Sequence, residues 1–139
     1  MVRGFKILEH PADLGIEAWG STLPEAFEQA ASCLMSIILD TDAVVTRTHR
    51  EITLDATDYE HLLVKWLGEI LYLYDGRNFV GKEFLINSLT STRLEATVRG
   101  EQLDLTKHTP RLDVKAVTYH QIIARDDRDR AFVRVFLDI

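Results

Sequence analysis

The chain has 139 residues, 46% of them hydrophobic, and a formal net charge of −6. That length builds one well-buried core and is short for two domains, and no stretch approaches the ~20 apolar residues that span a bilayer. An acidic chain without a Lys/Arg run lacks the cations that neutralise phosphates, so it is a poor candidate for gripping RNA or DNA unaided; a metal ion or a basic protein partner suits it better.

Met1-Val2-Arg3-Gly4 leads into a strand-like run rather than the long apolar block of a secretion signal. Together with a single cysteine, Cys33, this predicts a cytoplasmic protein without disulfides. Cys33 falls within a helical pattern and reads as a small core residue rather than a nucleophile. Residues 5–9 and 14–19 read as strands flanking the short connection His10-Pro11-Ala12-Asp13. Thr22-Leu23-Pro24-Glu25 fits a capping box, with Thr22 as cap and Pro24 tolerated in the first turn. Leu23, Phe27, Ala30, Leu34 and Ile37/Ile38 follow with the 3.6-residue period of a first helix.

Residues 45–55 read as a strand, with Ile52 and Leu54 alternating against Glu51 and Thr53. Thr57-Asp58-Tyr59-Glu60 repeats the capping pattern ahead of a second helix, whose stripe runs through Tyr59, Leu62/Leu63, Trp66/Leu67, Ile70 and Leu73/Tyr74. Asp75-Gly76 supplies its stop signal. Residues 83–89 and 92–100 read as a hairpin. Residues 112–123 and 131–139 read as paired strands, separated by the almost wholly charged run Ala124-Arg125-Asp126-Asp127-Arg128-Asp129-Arg130, which is expected to be a solvated loop. The order β-β-α-β-α-β-β-β-β, with short connections, predicts an α+β protein. Residues 1–139 form a single domain in this reading, with a mixed, mostly antiparallel sheet and two helices packed on one face.

Three stretches carry groups that do chemistry. Asp13 sits in a short connection, where an aspartate alone more often bonds its own backbone. In residues 114–120, alternation places Lys115, Val117 and Tyr119 on one strand face and Ala116, Thr118 and His120 on the other. At the end of the sequence, the Asp138 side chain and the free carboxylate of Ile139 bring two negative groups to one place; they repel unless a proton, a cationic side chain or a metal ion compensates them. Were these stretches to meet, their oxygens would suit a hard divalent cation such as Ca²⁺, Mg²⁺ or Mn²⁺. Zinc is disfavoured, because His10, His49, His61, His108 and His120 lack metal-type spacing. Periodicity does not show whether the stretches converge. No phosphate-binding glycine loop, dinucleotide fingerprint or serine elbow is present. Phe5, Trp19, Trp66, Phe79 and Tyr119 are scattered rather than interleaved with basic residues, so no RNA-stacking platform is visible in the sequence.

At these same residues the chain resembles the archease family. The matching motifs are His10-Pro11-Ala12-Asp13-Leu14-Gly15-Ile16, Glu25-Ala26-Phe27, Val114-Lys115-Ala116-Val117-Thr118-Tyr119-His120 and the closing Phe136-Leu137-Asp138-Ile139, in the family's order and across nearly the whole chain. The segment Leu105-Thr106-Lys107-His108-Thr109-Pro110 departs from the glycine-containing form expected there. The resemblance implies a cytoplasmic accessory protein for an RtcB-type RNA ligase of tRNA splicing, one that promotes guanylylation and multiple turnover of the ligase and broadens its nucleotide specificity. It implies a divalent-metal site at Asp13, Asp138 and Ile139, with Ca²⁺ the first expectation, a functional lysine at Lys115, and tRNA met only through the ligase. His10 and His120 stand beside these motifs as candidate supporting residues. A small metal-dependent hydrolase, using the same carboxylates to hold a water-activating ion, is the alternative; a plain interaction module with an acidic patch is the third reading.

Overall fold

The computed structural model describes residues 2–9 and 13–139, so His10, Pro11 and Ala12 lie outside the described residues, as does Met1. Thirteen elements follow in order: β1 (Gly4–Glu9), β2 (Asp13–Gly20), α1 (Leu23–Ile38), β3 (Leu39–Asp40), a 3-10 turn (Thr41–Ala43), β4 (Thr48–Asp55), α2 (Tyr59–Arg77), β5 (Phe79–Leu89), β6 (Arg93–Gln102), β7 (Thr109–Pro110), β8 (Ala116–Val117), β9 (Ile123–Asp127) and β10 (Arg130–Asp138). Two helices and antiparallel strand pairs give the expected α+β class. The strands are distributed over several sheets rather than one continuous sheet. β1-β2-β10-β8, with β9 also on β10, make the first; β3-β7 a second; β4-β6-β5 a third.

Helix α1 joins the two large sheets. It lies against β2 and β10 on one side and β5 on the other, and α2 packs on α1 and β5. The Thr22 hydroxyl accepts the Glu25 N–H at 3.3 Å, as the capping box predicts. At α2 the cap is Asp58, one residue beyond Thr57, and its carboxylate accepts the His61 N–H at 2.8 Å. Helix α2 runs through Gly76 to Arg77, because Asn78 takes the left-handed conformation (φ 54°) that ends a helix. Trp66 is fully buried and its indole N–H donates to the Phe27 carbonyl at 3.0 Å, which ties α2 to α1 and satisfies the buried donor. A Glu28 carboxylate oxygen from α1 accepts the Ile86 N–H at 2.8 Å, where β5 bulges against β6. Burial pushes the Glu28 carboxyl up.

Strand boundaries differ from the sequence reading in several places: β4 starts at Thr48 rather than Val45 and β5 at Phe79 rather than Glu83, and two differences are larger. The stretch read as one strand over 112–123 is interrupted: it has ladder pairing at Ala116–Val117, turns at His120-Gln121, where Gln121 has φ 49°, and pairs again only from Ile123, the first residue of β9. The charged run 124–130 is largely not a loop: β9 carries Ala124 to Asp127 in antiparallel register with Val133 to Arg130, and only Arg128-Asp129 turn the chain. Alternating opposite charges are well tolerated on the exposed side of a hairpin, so charge density alone misplaces the turn.

The path to the lysine segment is set by a buried carboxylate. Glu101, 5% exposed at the end of β6, accepts from the Val45 N–H (2.7 Å), Lys107 (2.7 and 2.9 Å) and Arg47 (3.1 Å). His108 also meets it: the Asp104 N–H donates to Nδ1 at 3.0 Å, so Nε2 bears the proton and donates to Glu101 at 3.0 Å. These donors hold the segment after β6 in place despite its lack of glycine. Beyond it β7 pairs with β3, the Arg111 N–H donates to the Ile38 carbonyl at 2.8 Å, and Val114 enters the core. The donors, Lys107 foremost, keep the Glu101 carboxyl well below the usual carboxylate range. Its stabilisation is therefore fully present above the ordinary carboxylate value of 4.5 and is lost as pH falls toward the depressed folded value. Glu101→Gln keeps an acceptor for Val45 but loses the charge. We expect it to lower the melting temperature at pH 7 by several degrees, with the gap to the parent narrowing below about pH 4.5. Melting curves of both proteins across pH check this, and a gap that widens in acid would contradict it.

Candidate functional site

Strand β10 brings all three chemically active stretches into one ladder. Asp138 lies directly opposite Asp13 on β2 and opposite Ala116 on β8. One step back, Leu137 is opposite Leu14 and Val117, and these three pack on the core. Alternation then sends Asp13, Asp138 and Ala116 to the outer face. Directly opposed residues have Cα atoms roughly 4.5–5.5 Å apart, and like charges there repel. Asp138 is exposed and Asp13 half-buried, so the pair sits where water or a cation reaches it.

The lysine segment docks on the same spot through its backbone. The Lys115 N–H donates to the Asp138 carbonyl at 2.8 Å, and the Thr118 N–H to the Phe136 carbonyl at 3.0 Å. These two bonds flank the β8 pairing and fix Lys115 beside Asp138 and Ile139. Val114 is 1% exposed, while Lys115 is exposed, and its ammonium makes no ion pair among the described residues. An anchored neighbour and a free cation describe a side chain presented to solvent at a fixed place. Tyr119 does not continue the strand face with Lys115 and Val117. It is 56% exposed, with its ring centroid 5.8 Å from that of His61 on α2.

His120 leans on the same outer face. Its ring meets Phe136 nearly edge-to-face with centroids 5.8 Å apart, two residues from Asp138. Phe136 is opposite Gly15, where an added Cβ would stand 2.8 Å from the Phe136 ring; glycine is what lets the ring lie against β2. His10 lies outside the described residues. Ile139 follows Asp138 and packs partly on the core.

As a cation site the donor set is incomplete in side chains. Among the described residues no three His, Cys, Asp or Glu side chains gather as a ready metal cluster. The side chains that remain are the two opposed carboxylates of Asp13 and Asp138. Hard oxygens of this kind fit Ca²⁺, Mg²⁺ or Mn²⁺ and leave positions for water. Cys33 takes no part: it is fully buried, and burial pushes its thiol up to about 12. Among the described residues no helix is long and apolar enough to cross a membrane. Sequence reading missed the Glu101–His108 pair. A glutamate closing an alternating strand looks solvated, and only tertiary contact reveals its four donors.

Comparison with known proteins gives one answer. The model of the Archease protein family matches residues 5–139. A protein archease from Sulfurisphaera tokodaii is 39% identical over 119 residues, covering 85% of this chain and 86% of its own length. One from Methanosarcina acetivorans is 36% identical, covering 97% and 95%. The solution structure of a Methanobacterium thermoautotrophicum protein superposes with a TM-score of 0.82 at 32% identity, over 98% of this chain and 99% of that one. A Thermotoga maritima archease, described as a possible chaperone, shares the fold with a TM-score of 0.59 at 20% identity, over 96% of each chain.

The anchoring of the lysine segment separates two adjacent residues. Lys115→Ala should leave stability within about 0.5 kcal/mol of the parent, since it removes only an exposed side chain. Val114→Ala should cost about 2 kcal/mol from lost burial. Urea denaturation of both variants checks the contrast; equal destabilisation would show that Lys115 has a structural role.

Proposed function

The chain belongs to the archease family, and on that premise we propose that it is a metal-bearing accessory protein that activates an RtcB-type RNA ligase in tRNA splicing. In this reading it promotes guanylylation of the ligase, sustains multiple turnover and broadens the nucleotides the ligase accepts. It works in the cytoplasm by docking on the enzyme and performs no ligation itself. The observation that carries the proposal is the register placing Asp13 opposite Asp138, with the Lys115 backbone bonded to Asp138.

Each group has a distinct part. Asp13, Asp138 and the carboxylate of Ile139 would hold a hard divalent cation, Ca²⁺ first and Mg²⁺ or Mn²⁺ otherwise. That ion would supply positive charge at an otherwise anionic edge. Lys115 presents a second cation beside it, suited to a nucleotide phosphate at the docked surface. Phe136 and His120 stiffen the strand end that bears Asp138. The net charge of −6 favours a basic surface on the partner.

Multiple-turnover ligation is the direct test. Substoichiometric protein should sustain many rounds by an RtcB-type ligase with GTP and a divalent metal, and the protein alone should show no ligation. Lys115→Ala should weaken activation with unchanged melting, and Lys115→Arg should restore it only in part, because the two cations differ in shape and hydration. Ligation that stops at one round whatever the amount added would overturn the reading. Hydrolytic turnover by the protein alone would favour a metal-dependent hydrolase instead.

A further inference from the structure

The outer face of the first sheet carries a second constellation at the end remote from Asp13 and Asp138. On β10, Ala131, Val133 and Val135 are buried against the core, so Arg130, Phe132, Arg134 and Phe136 face the other way. The register extends this face across the sheet. Phe132 is opposite both Trp19 and Arg125; Trp19 is opposite Gly4; Arg134 is opposite Glu17, which is opposite Lys6; and Arg130 is opposite Asp127. The aromatic residues that look scattered along the sequence thus meet arginines in space.

Trp19 lies close over Gly4, where an added Cβ would stand 2.9 Å from the indole ring. The indole and Phe132 are both half-buried and line a cleft of about 400 Å³ together with Arg125, Asp127, Arg130 and Ala131. The Arg125 guanidinium sits 5.6 Å from the Phe132 ring centroid, and both Arg125 and Arg130 are exposed. This end of the face bears Lys6, Arg125, Arg130 and Arg134 against Glu17 and Asp127, a cationic excess on a chain of net charge −6. The far end bears Asp13 and Asp138.

We propose that the Trp19–Phe132 cleft binds an unpaired base of a single-stranded RNA segment, the base stacking on the rings and its phosphate meeting Arg125 and Arg130. Aromatic rings offer a π-face that any base satisfies, and arginine forks match phosphate oxygens in pairs. An acidic peptide would use the arginines and leave the rings unmatched. A duplex hides the faces of its bases, which is why an unpaired segment is required. This departs from the expectation drawn from the sequence, in which tRNA is met only through the ligase; only the choice of RNA over DNA rests on the proposed function.

The test uses the isolated full chain, so its outcome is independent of ligase activation. An end-labelled eight-nucleotide single-stranded RNA is titrated at low salt and followed by fluorescence anisotropy. Tryptophan quenching provides a second signal, with Trp66, fully buried, as a constant background. Saturable binding is expected, with a Kd near the weak end of non-specific association, roughly 10⁻⁴ M at physiological salt and tighter below it. Arg125→Gln combined with Arg130→Gln should weaken it about tenfold and flatten its salt dependence; Trp19→Leu should weaken it by a similar factor, about tenfold. Both arginines are exposed, so the double variant decides the matter even if Trp19→Leu melts early. Unchanged affinity in the arginine variant would overturn the proposal. So would AMP binding as tightly as the oligonucleotide, equal affinity for a duplex, or complete competition by a polyglutamate peptide.

Discussion

The structure depends on one constraint: the last strand is an interior strand. β10 is paired with β2 from Ala131 to Asp138 on one side and with β8 and β9 on the other. Residues near the end of a sequence usually order poorly unless a sheet or a helix docks them. Here the ladder bonds of β10, together with the burial of Ala131, Val133, Val135 and Leu137 against α1, hold the segment from both edges and from one face. Two carboxylates cannot be brought opposite each other on flexible segments, because they would simply separate. A strand pinned between two others has no such escape.

From this the site's electrostatics follow. The pairing of β2 with β10 is fixed by hydrophobic alternation, since a one-residue slip would turn Val133 and Val135 to the outer face. The same register then makes Asp13 face Asp138, whatever the electrostatic cost, which for a pair on a sheet surface is of order 0.2–1 kcal/mol. Core packing worth several times that holds the arrangement in place. A compensating cation recovers the cost and is attracted for the same reason. The Glu101 cluster belongs to this account at a distance. It locks the segment that precedes β7, and that segment delivers Lys115 to Asp138.

The sequence discloses the parts of this arrangement unevenly. The two helices were legible because their apolar stripes repeat over many turns, and the Thr22 cap because its chemistry is local. The ends of α2 were less so: Asp58 and Thr57 compete for one cap, and an asparagine replaced the expected glycine as terminator. β8 is two residues long and β9 is charged, so neither offers a periodic signal. Lys115, Asp13 and Asp138 stood out through the family's motifs, yet their meeting is a property of the strand order β2-β10-β8, which no single segment encodes. The same is true of Trp19, Phe132 and Arg125. Spread over more than a hundred positions, they share one row of the sheet, and a linear search for interleaved aromatic and basic residues passes over them.

The central proposal is that the opposed carboxylates on a pinned strand form a cation site completed at Ile139. Calorimetric titration with Ca²⁺ and Mn²⁺ tests it most directly, on the parent chain, on Asp13→Asn and Asp138→Asn, and on a chain with two glycines appended after Ile139. The account predicts saturable binding to the parent, its loss in both asparagine variants, and its loss in the extended chain, where the carboxylate at Ile139 becomes a neutral amide carbonyl, with all four proteins melting alike in chelator. Equal affinity in the parent and the extended chain would contradict it.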